Sequence, residues 1–205
     1  MIGNEQITTI DFEHPSRLFL FDDILKGLLG GPLFFNPFLG EQGGFRGDEQ
    51  VIDFGCGGGP GTRCIAKQLT QGGKVLGIDV SSVMIKRAEK RLRKYANAEA
   101  IKGDVRTLGL EKGAFDVITI IYVIHDIVPK ERASIIKALV DLLKPDGQIW
   151  ILEPIKAGHG MSIEEIRLLM NLAGLEETEH SNKKSSYRGK FKKMSIDVLT
   201  SKYAL

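Results

Sequence analysis

VIDFGCGGGPGT, Val51 to Thr62, decides the reading of this chain. It opens as a short apolar run, the pattern of a buried strand. It then becomes a glycine-dense turn and leads into a helix starting near Pro60. Glycines at 55, 57, 58, 59 and 61 strip the turn of side-chain bulk. Such a backbone can bend sharply and come close to a ligand. Asp53 stands two residues ahead of the first glycine and selects among the nucleotide-like ligands such a turn can hold.

Outward from this stretch, strands and helices alternate. Gln50 to Phe54 is the first strand, residues 61–71 a helix with Ile65, Ala66 and Leu69 on one face, and Lys74 to Asp79 the second strand. Ser81 or Ser82 caps the next helix, where Met84, Ala88, Leu92 and Tyr95 recur at helical spacing. Residues 98–102 make a short third strand. Phe115 to Ile124 is a continuous apolar strand of the kind buried on both faces of a parallel sheet. Pro129 suits the first turn of a helix with Ala133, Ile136, Leu139, Val140 and Leu143 on its face, and Lys144-Pro145-Asp146-Gly147 stops it. Gln148 to Glu153 is the fifth strand. Ser162 and Glu165 form a capping pattern for a helix that Gly174 ends. An antiparallel pair near 175–180 and 191–201 closes the chain. This order predicts an α/β fold, an open, mostly parallel, doubly wound sheet with helices on both faces. Right-handed crossovers gather the loops after the strands on one edge. There the glycine turn, Asp79, Gly103-Asp104 and His125-Asp126 line one crevice.

The bulk composition narrows the partners. At 205 residues, 42% apolar and 26% charged, the chain suits a soluble domain with a proper core. A net charge of +2 implies no polyanionic partner. No run approaches the roughly 18 apolar residues that span a bilayer, so no membrane partner is expected. The start MIGNEQITTIDFE lacks a basic stretch and an apolar signal core, which predicts a cytoplasmic location. Cys56 and Cys64, without histidines nearby, read as reduced thiols, and no metal is expected. Residues 1–48 differ from residues 49–205. Seven of the ten phenylalanines fall there, at 12, 19, 21, 34, 35, 38 and 45. Ser16 caps a helix, Arg17 to Leu29, that is apolar on nearly every side and that Gly30-Gly31-Pro32 ends. Such a helix must be covered on more than one face, or cover something.

At these residues the chain resembles the class I S-adenosylmethionine-dependent methyltransferases. Asp53, Gly55, Gly57 and Gly59 match the first motif, an acidic residue followed by G-x-G-x-G. GIDVS with Asp79, GDV with Asp104, FDVITIIYVIHDI and LLKPDGQIWILEP match the next four in order, over residues 50–154. The resemblance implies a three-layer Rossmann-like fold with a seven-stranded sheet, mostly parallel with an antiparallel C-terminal strand, and residues 1–48 as a helical lid. It implies S-adenosylmethionine as donor and S-adenosylhomocysteine as product. The glycines let the backbone approach the donor's amino-acid part, and the following helix offers its N–H groups to the donor carboxylate. Asp79 can accept from both ribose hydroxyls, because its two oxygens are both acceptors. By resemblance, Asp104 accepts from the adenine amino group, the Val105 N–H meets a ring nitrogen, and Val80 packs on the adenine face. Gly55, Cys56, Gly57 and Ile121 border the donor. Asp53 orients the turn or the donor's ammonium group, or is structural.

A dinucleotide-binding dehydrogenase would also use a glycine turn and a later acid. Its G-x-G-x-x-G frame fails here, placing Pro60 or Thr62 at the last glycine. Methyl transfer needs alignment, and a general base only where the acceptor arrives protonated. His125, with Asp126 beside it, is the candidate base, or else a wall of the pocket. Tyr122, Phe19, Phe34, Phe35 and Phe38 form an expected apolar substrate wall. The short link Ile155 to Met161 leaves little room for a covering insertion, so the N-terminal segment is the lid, a layer packed on the sheet, or a dimer interface. A small-molecule acceptor is expected, on a monomer or homodimer. The alternatives are an RNA or protein methyltransferase, or a donor-binding sensor without turnover. The first uses the basic stretch of Lys183, Lys184, Arg188, Lys190, Lys192 and Lys193. That stretch reads equally as a solvated hairpin face.

Overall fold

The computed structural model describes residues 16–156, 159–183 and 185–194, without the side chains of Phe19, Asp22 and His159. Its strands are β1 (Gln50–Phe54), β2 (Lys74–Asp79), β3 (Ala98–Lys102), β4 (Phe115–Ile121), β5 (Leu143–Lys156), β6 (His159–Gly160), β7 (Leu175–Lys183) and β8 (Ser186–Lys193). The main sheet runs β3-β2-β1-β4-β5-β8-β7, and the two-residue β6 pairs with β5. The first five strands along that path are parallel, and β8 is antiparallel to both neighbours. Strand order reverses between β1 and β4, and a crevice opens at such a switch point.

Two-sided burial explains the apolar strands. Successive side chains point to opposite faces. Ile52, Ile118, Ile120, Ile149 and Ile151 enter one core, with Ile136 and Leu139 of α5 (Pro129–Leu142) and Ile166 and Met170 of α6 (Ile163–Leu172). Their neighbours Val51, Val117, Trp150 and Leu152 enter the other, with Cys64 and Ile65 of α3 (Pro60–Ala66). A third cluster sits under α4 (Ser82–Leu92), which Ser81 caps by accepting from the Met84 N–H. Ser162 accepts from the Glu165 N–H in the same way.

Several boundaries depart from expectation. The helix after the glycine turn ends at Ala66 rather than residue 71. Gly30-Gly31-Pro32 ends α1 but not the helical run. α1 (Arg17–Gly30) passes into a π turn (Gly31–Phe35) and then α2 (Asn36–Glu41). Proline lacks an N–H and crowds the preceding turn, and a widened turn absorbs both defects. Lys144-Pro145-Asp146-Gly147 is a bulge inside β5, where the pairing jumps from Phe115↔Leu143 to Val117↔Gln148. Lys144 Nζ reaches both Asp116 oxygens at 2.8 Å, fixing the bulge to β4. The last strand begins at Ser186 rather than 191, and residues 195–201 of the expected strand lie outside the described part.

Asp53 ties three elements at the centre of the sheet. Thr62 of α3 donates to its Oδ2 at 2.6 Å and Thr119 of β4 to its Oδ1 at 2.9 Å. Burial pushes its carboxyl up to about 6, the two hydroxyls pull it down, and the Asp79 charge adds upward. An unfolded aspartate titrates near about 3.9. Between pH 4 and pH 6 the unfolded chain releases this proton while the native chain keeps it. Stability therefore falls as the pH rises through that window. Urea unfolding of the donor-free protein should show a loss on the order of 3 kcal/mol from pH 4 to 7, relative to Asp53→Asn. Parallel curves for the two proteins would contradict a native proton on Asp53.

Candidate functional site

The site forms where β1 and β2 end. Gly55, Gly57 and Gly59 take φ of 69°, 52° and 79°, left-handed values that side chains disfavour. The Gly55 and Cys56 N–H groups both donate to the Ile78 carbonyl, at 2.8 and 3.1 Å, binding the turn to β2. Close neighbours leave no room for larger residues. A Cβ at Gly55 would lie 2.4 Å from Val123, one at Gly58 2.2 Å from Asp23, and one at Gly59 3.1 Å from Ala88. Asp79 closes the exit of β2. Its Oδ2 accepts from the Gly57 N–H at 2.8 Å and its Oδ1 from the Ser81 N–H at 2.9 Å. Each oxygen has a second acceptor position. Beside it Val80, apolar, remains 51% exposed. Cys56 is buried against Gly77, and burial chiefly holds its thiol well above the usual range, so it packs rather than reacts.

After β3, Asp104 is held by Arg106. The Arg106 backbone N–H and side chain both donate to its carboxylate, the closest contact at 2.5 Å, and this keeps the carboxyl below its usual range. Arg106 also pairs with Glu131 at the start of α5. The Val105 side chain is buried in the core.

At the end of β4 the chain breaks pattern. Ile121 is the last strand residue, and Tyr122 takes φ 58°, among the described residues the sole non-glycine with positive φ. The expected continuation to Ile124 fails because a neighbouring side chain replaces the ladder. Glu153 of β5, fully buried, accepts from the Val123 and Ile124 N–H groups at 2.8 and 2.7 Å. Its other oxygen lies 2.7 Å from His125 Nδ1. A carboxylate already accepting two N–H bonds acts as an acceptor again, so Nδ1 donates to Glu153. Asp126 Oδ1 stands 3.4 Å from Nε2. Arg132 braces this turn by donating to the Ile127 and His125 carbonyls at 2.9 and 3.1 Å. Glu153 was missed in the sequence reading. Its signal was a lone acid ending an apolar strand.

The expected substrate wall divides. Phe38 is fully buried and Phe35 nearly so, packed with Ile65 and Trp150 in the α3-side core. Phe35 also abuts Gly30 and Gly61. Both sit in the core rather than on a pocket wall. The widened π turn shifts which face each phenylalanine takes. Phe34 is exposed and Tyr122 half-buried, its hydroxyl pushed up chiefly by burial. Phe19 has its side chain outside the described part. Of the basic stretch, Lys183 and Arg188 pair with Glu41 of α2 and Lys190 pairs with Glu179. Lys193 donates to the Leu143 carbonyl, and Lys184 lies outside the described residues. Four of the six charges are thus tied within the fold, and Lys192 is exposed.

The residues fit the expected donor. A side-chain-free turn at β1, a carboxylate bound to it at β2, an exposed valine beside that carboxylate and a second carboxylate after β3 lie at the ends of consecutive sheet neighbours. Among the described residues no group of His, Cys, Asp or Glu could hold a metal ion, and no helix is long and apolar enough to cross a membrane.

Comparison with known proteins agrees with this geometry. A family model described as a methyltransferase domain matches residues 51–147. A demethylmenaquinone methyltransferase of Lactococcus lactis is 32% identical over 105 residues, covering 50% of this chain and 41% of that protein. The ubiquinone/menaquinone biosynthesis C-methyltransferase UbiE of Ectopseudomonas mendocina is 27% identical over 158 residues, covering 76% and 60%. The chain thus spans about half the length of these sequence relatives. The TehB-like SAM-dependent methyltransferase of Corynebacterium glutamicum superposes with a TM-score of 0.69 at 20% identity, over 85% of this chain and 97% of that one. A Burkholderia thailandensis 1,6-didemethyltoxoflavin-N1-methyltransferase, solved with its substrate and S-adenosylhomocysteine, gives 0.66 at 15% identity, over 85% and 87%. These two structures share the fold. Residues 51–147 thus match a methyltransferase domain, and the fold around them is the one these S-adenosylmethionine-dependent methyltransferases share.

Proposed function

We propose that this chain transfers a methyl group from S-adenosylmethionine to a small molecule, with a quinone-type or related aromatic ring as the acceptor class. The observation that carries the reading is the bond from the Gly57 N–H to Asp79, which fixes turn and carboxylate as one donor-binding unit. When bound, the donor supplies an activated methyl group for in-line displacement. Asp79 holds the ribose diol, Val80 and Ile121 flank the adenosine, and Asp104 reads the adenine amino group while keeping Arg106 on its other side. The relatives' named substrates, quinone precursors and a toxoflavin precursor, support a compact ring acceptor. The internal pairing of the basic stretch speaks against a nucleic-acid acceptor.

An aromatic hydroxyl, or the ring carbon conjugated to it, becomes a good nucleophile when the hydroxyl loses its proton. We assign that proton to His125. Glu153 holds the ring by Nδ1 and stabilises the charge the ring gains, while Asp126 stands by Nε2. Residues 16–48 cover the donor turn from outside, with Asp23 against Gly58.

Calorimetry with S-adenosylhomocysteine should give Asp79→Ala at least roughly tenfold weaker binding than wild type, about 1.4 kcal/mol. Equal affinity would refute the ribose assignment. With methyl-labelled donor and fractionated cell extract, label should enter the small-molecule fraction. Label in macromolecules would overturn the acceptor class. Against an accepted substrate, Glu153→Gln should lower kcat by on the order of a hundredfold while donor affinity stays unchanged. A full kcat in that variant would remove His125 from the chemistry.

A further inference from the structure

α1 is inverted relative to an ordinary surface helix, which hides its large apolar side chains and shows its polar ones. Its buried face consists of Asp23, Gly27 and Gly30. Asp23 is 5% exposed and pairs with Arg87 at 2.8 Å and Arg91 at 3.3 Å, both on α4. Arg63 of α3 donates to the Gly27 carbonyl at 2.6 Å. A Cβ at Gly27 would sit 2.5 Å from the Arg91 guanidinium, so the fit requires a residue this small. The large side chains point away. Leu18, Phe21, Leu25 and Leu28 are exposed along α1, and Leu33 and Phe34 continue the ridge on the π turn, with Leu18 at 81% and Leu28 at 72%. From residue 18 to 34 the ridge runs about 24 Å at helical rise. A soluble monomer rarely carries a patch of this extent without a use for it.

Charge identifies what covers it. α4, joined to α1 through Asp23, exposes Lys86, Lys90 and, just past its end, Arg93 and Lys94, next to the Arg87 and Arg91 face, with the acid Glu89 among them. An apolar ridge beside a mostly basic stripe matches an anionic lipid surface, with apolar side chains at the acyl boundary and ammonium groups over phosphates. We propose that α1 and α4 form a docking surface for an anionic bilayer, with α1 lying on it rather than spanning it. It departs from the expectation of no membrane partner, which rested on the lack of a spanning run. This docking needs no methyl donor or acceptor, so its failure would leave the proposed activity untouched.

Flotation of the full chain with vesicles tests it. Binding to vesicles containing phosphatidylglycerol should exceed binding to pure phosphatidylcholine by roughly tenfold or more and weaken in about 0.5 M salt. The triple variant Phe21→Ser, Leu25→Ser, Leu28→Ser should lose binding while keeping its far-UV circular dichroism. Lys90→Glu with Lys94→Glu should weaken it. No binding by wild type, or equal binding by the triple variant, overturns the proposal. So does a wild-type dimer in light scattering that becomes a monomer in the triple variant without vesicle binding. That result would assign the ridge to a second copy.

Discussion

The architecture depends on close approach at the glycine turn. Five elements press against it, each at its own residue. The segment after β4 meets Gly55 through Val123, β2 meets Gly57 through Asp79, and α1 meets Gly58 through Asp23. α4 meets Gly59 through Ala88, and the π turn meets Gly61 through Phe35. A single Cβ at position 55 or 58 would overlap a neighbour by more than an ordinary contact allows. The glycines thus do two things with one property. They admit left-handed backbone, and they let parts of the chain far apart in sequence reach one point.

That double role explains what the sequence reveals. β1, β2 and β3 follow from apolar runs bounded by glycine or aspartate, and their limits match the expected ones. Asp79 and Asp104 emerge as the acids after those strands. The end of β4 was hidden because the residues there, Tyr122, Val123 and Ile124, look like more strand. What stops them is a carboxylate thirty residues downstream, and local pattern carries no trace of such a partner. The phenylalanines are hard to place for a related reason. Phe34, Phe35 and Phe38 lie beyond the expected helix stop, where no periodicity assigns a face, and the π turn at Gly31–Phe35 carries the helical run on into them. Phe35 and Phe38 go to the core while Phe34 stays outside.

Asp23 shows the opposite case. With Asp22 it interrupts a largely apolar helix, a place where acids ordinarily face water. Spaced four and seven residues before two glycines, it instead marks the packed face. Its charge is compensated by two arginines from α4 rather than by water. A partly buried pair of this kind contributes more to orientation than to net stability, because desolvation offsets much of the attraction.

The pairing of Glu41 with Lys183 and Arg188 joins parts of the chain 142 and 147 residues apart. Phe38 likewise packs with Trp150 and Leu152, which follow more than a hundred residues later. Synthesis proceeds from the N-terminus. The segment around Phe38 and Glu41 therefore leaves the ribosome long before β5 and β8, and its contacts with those two strands can form only once both are made.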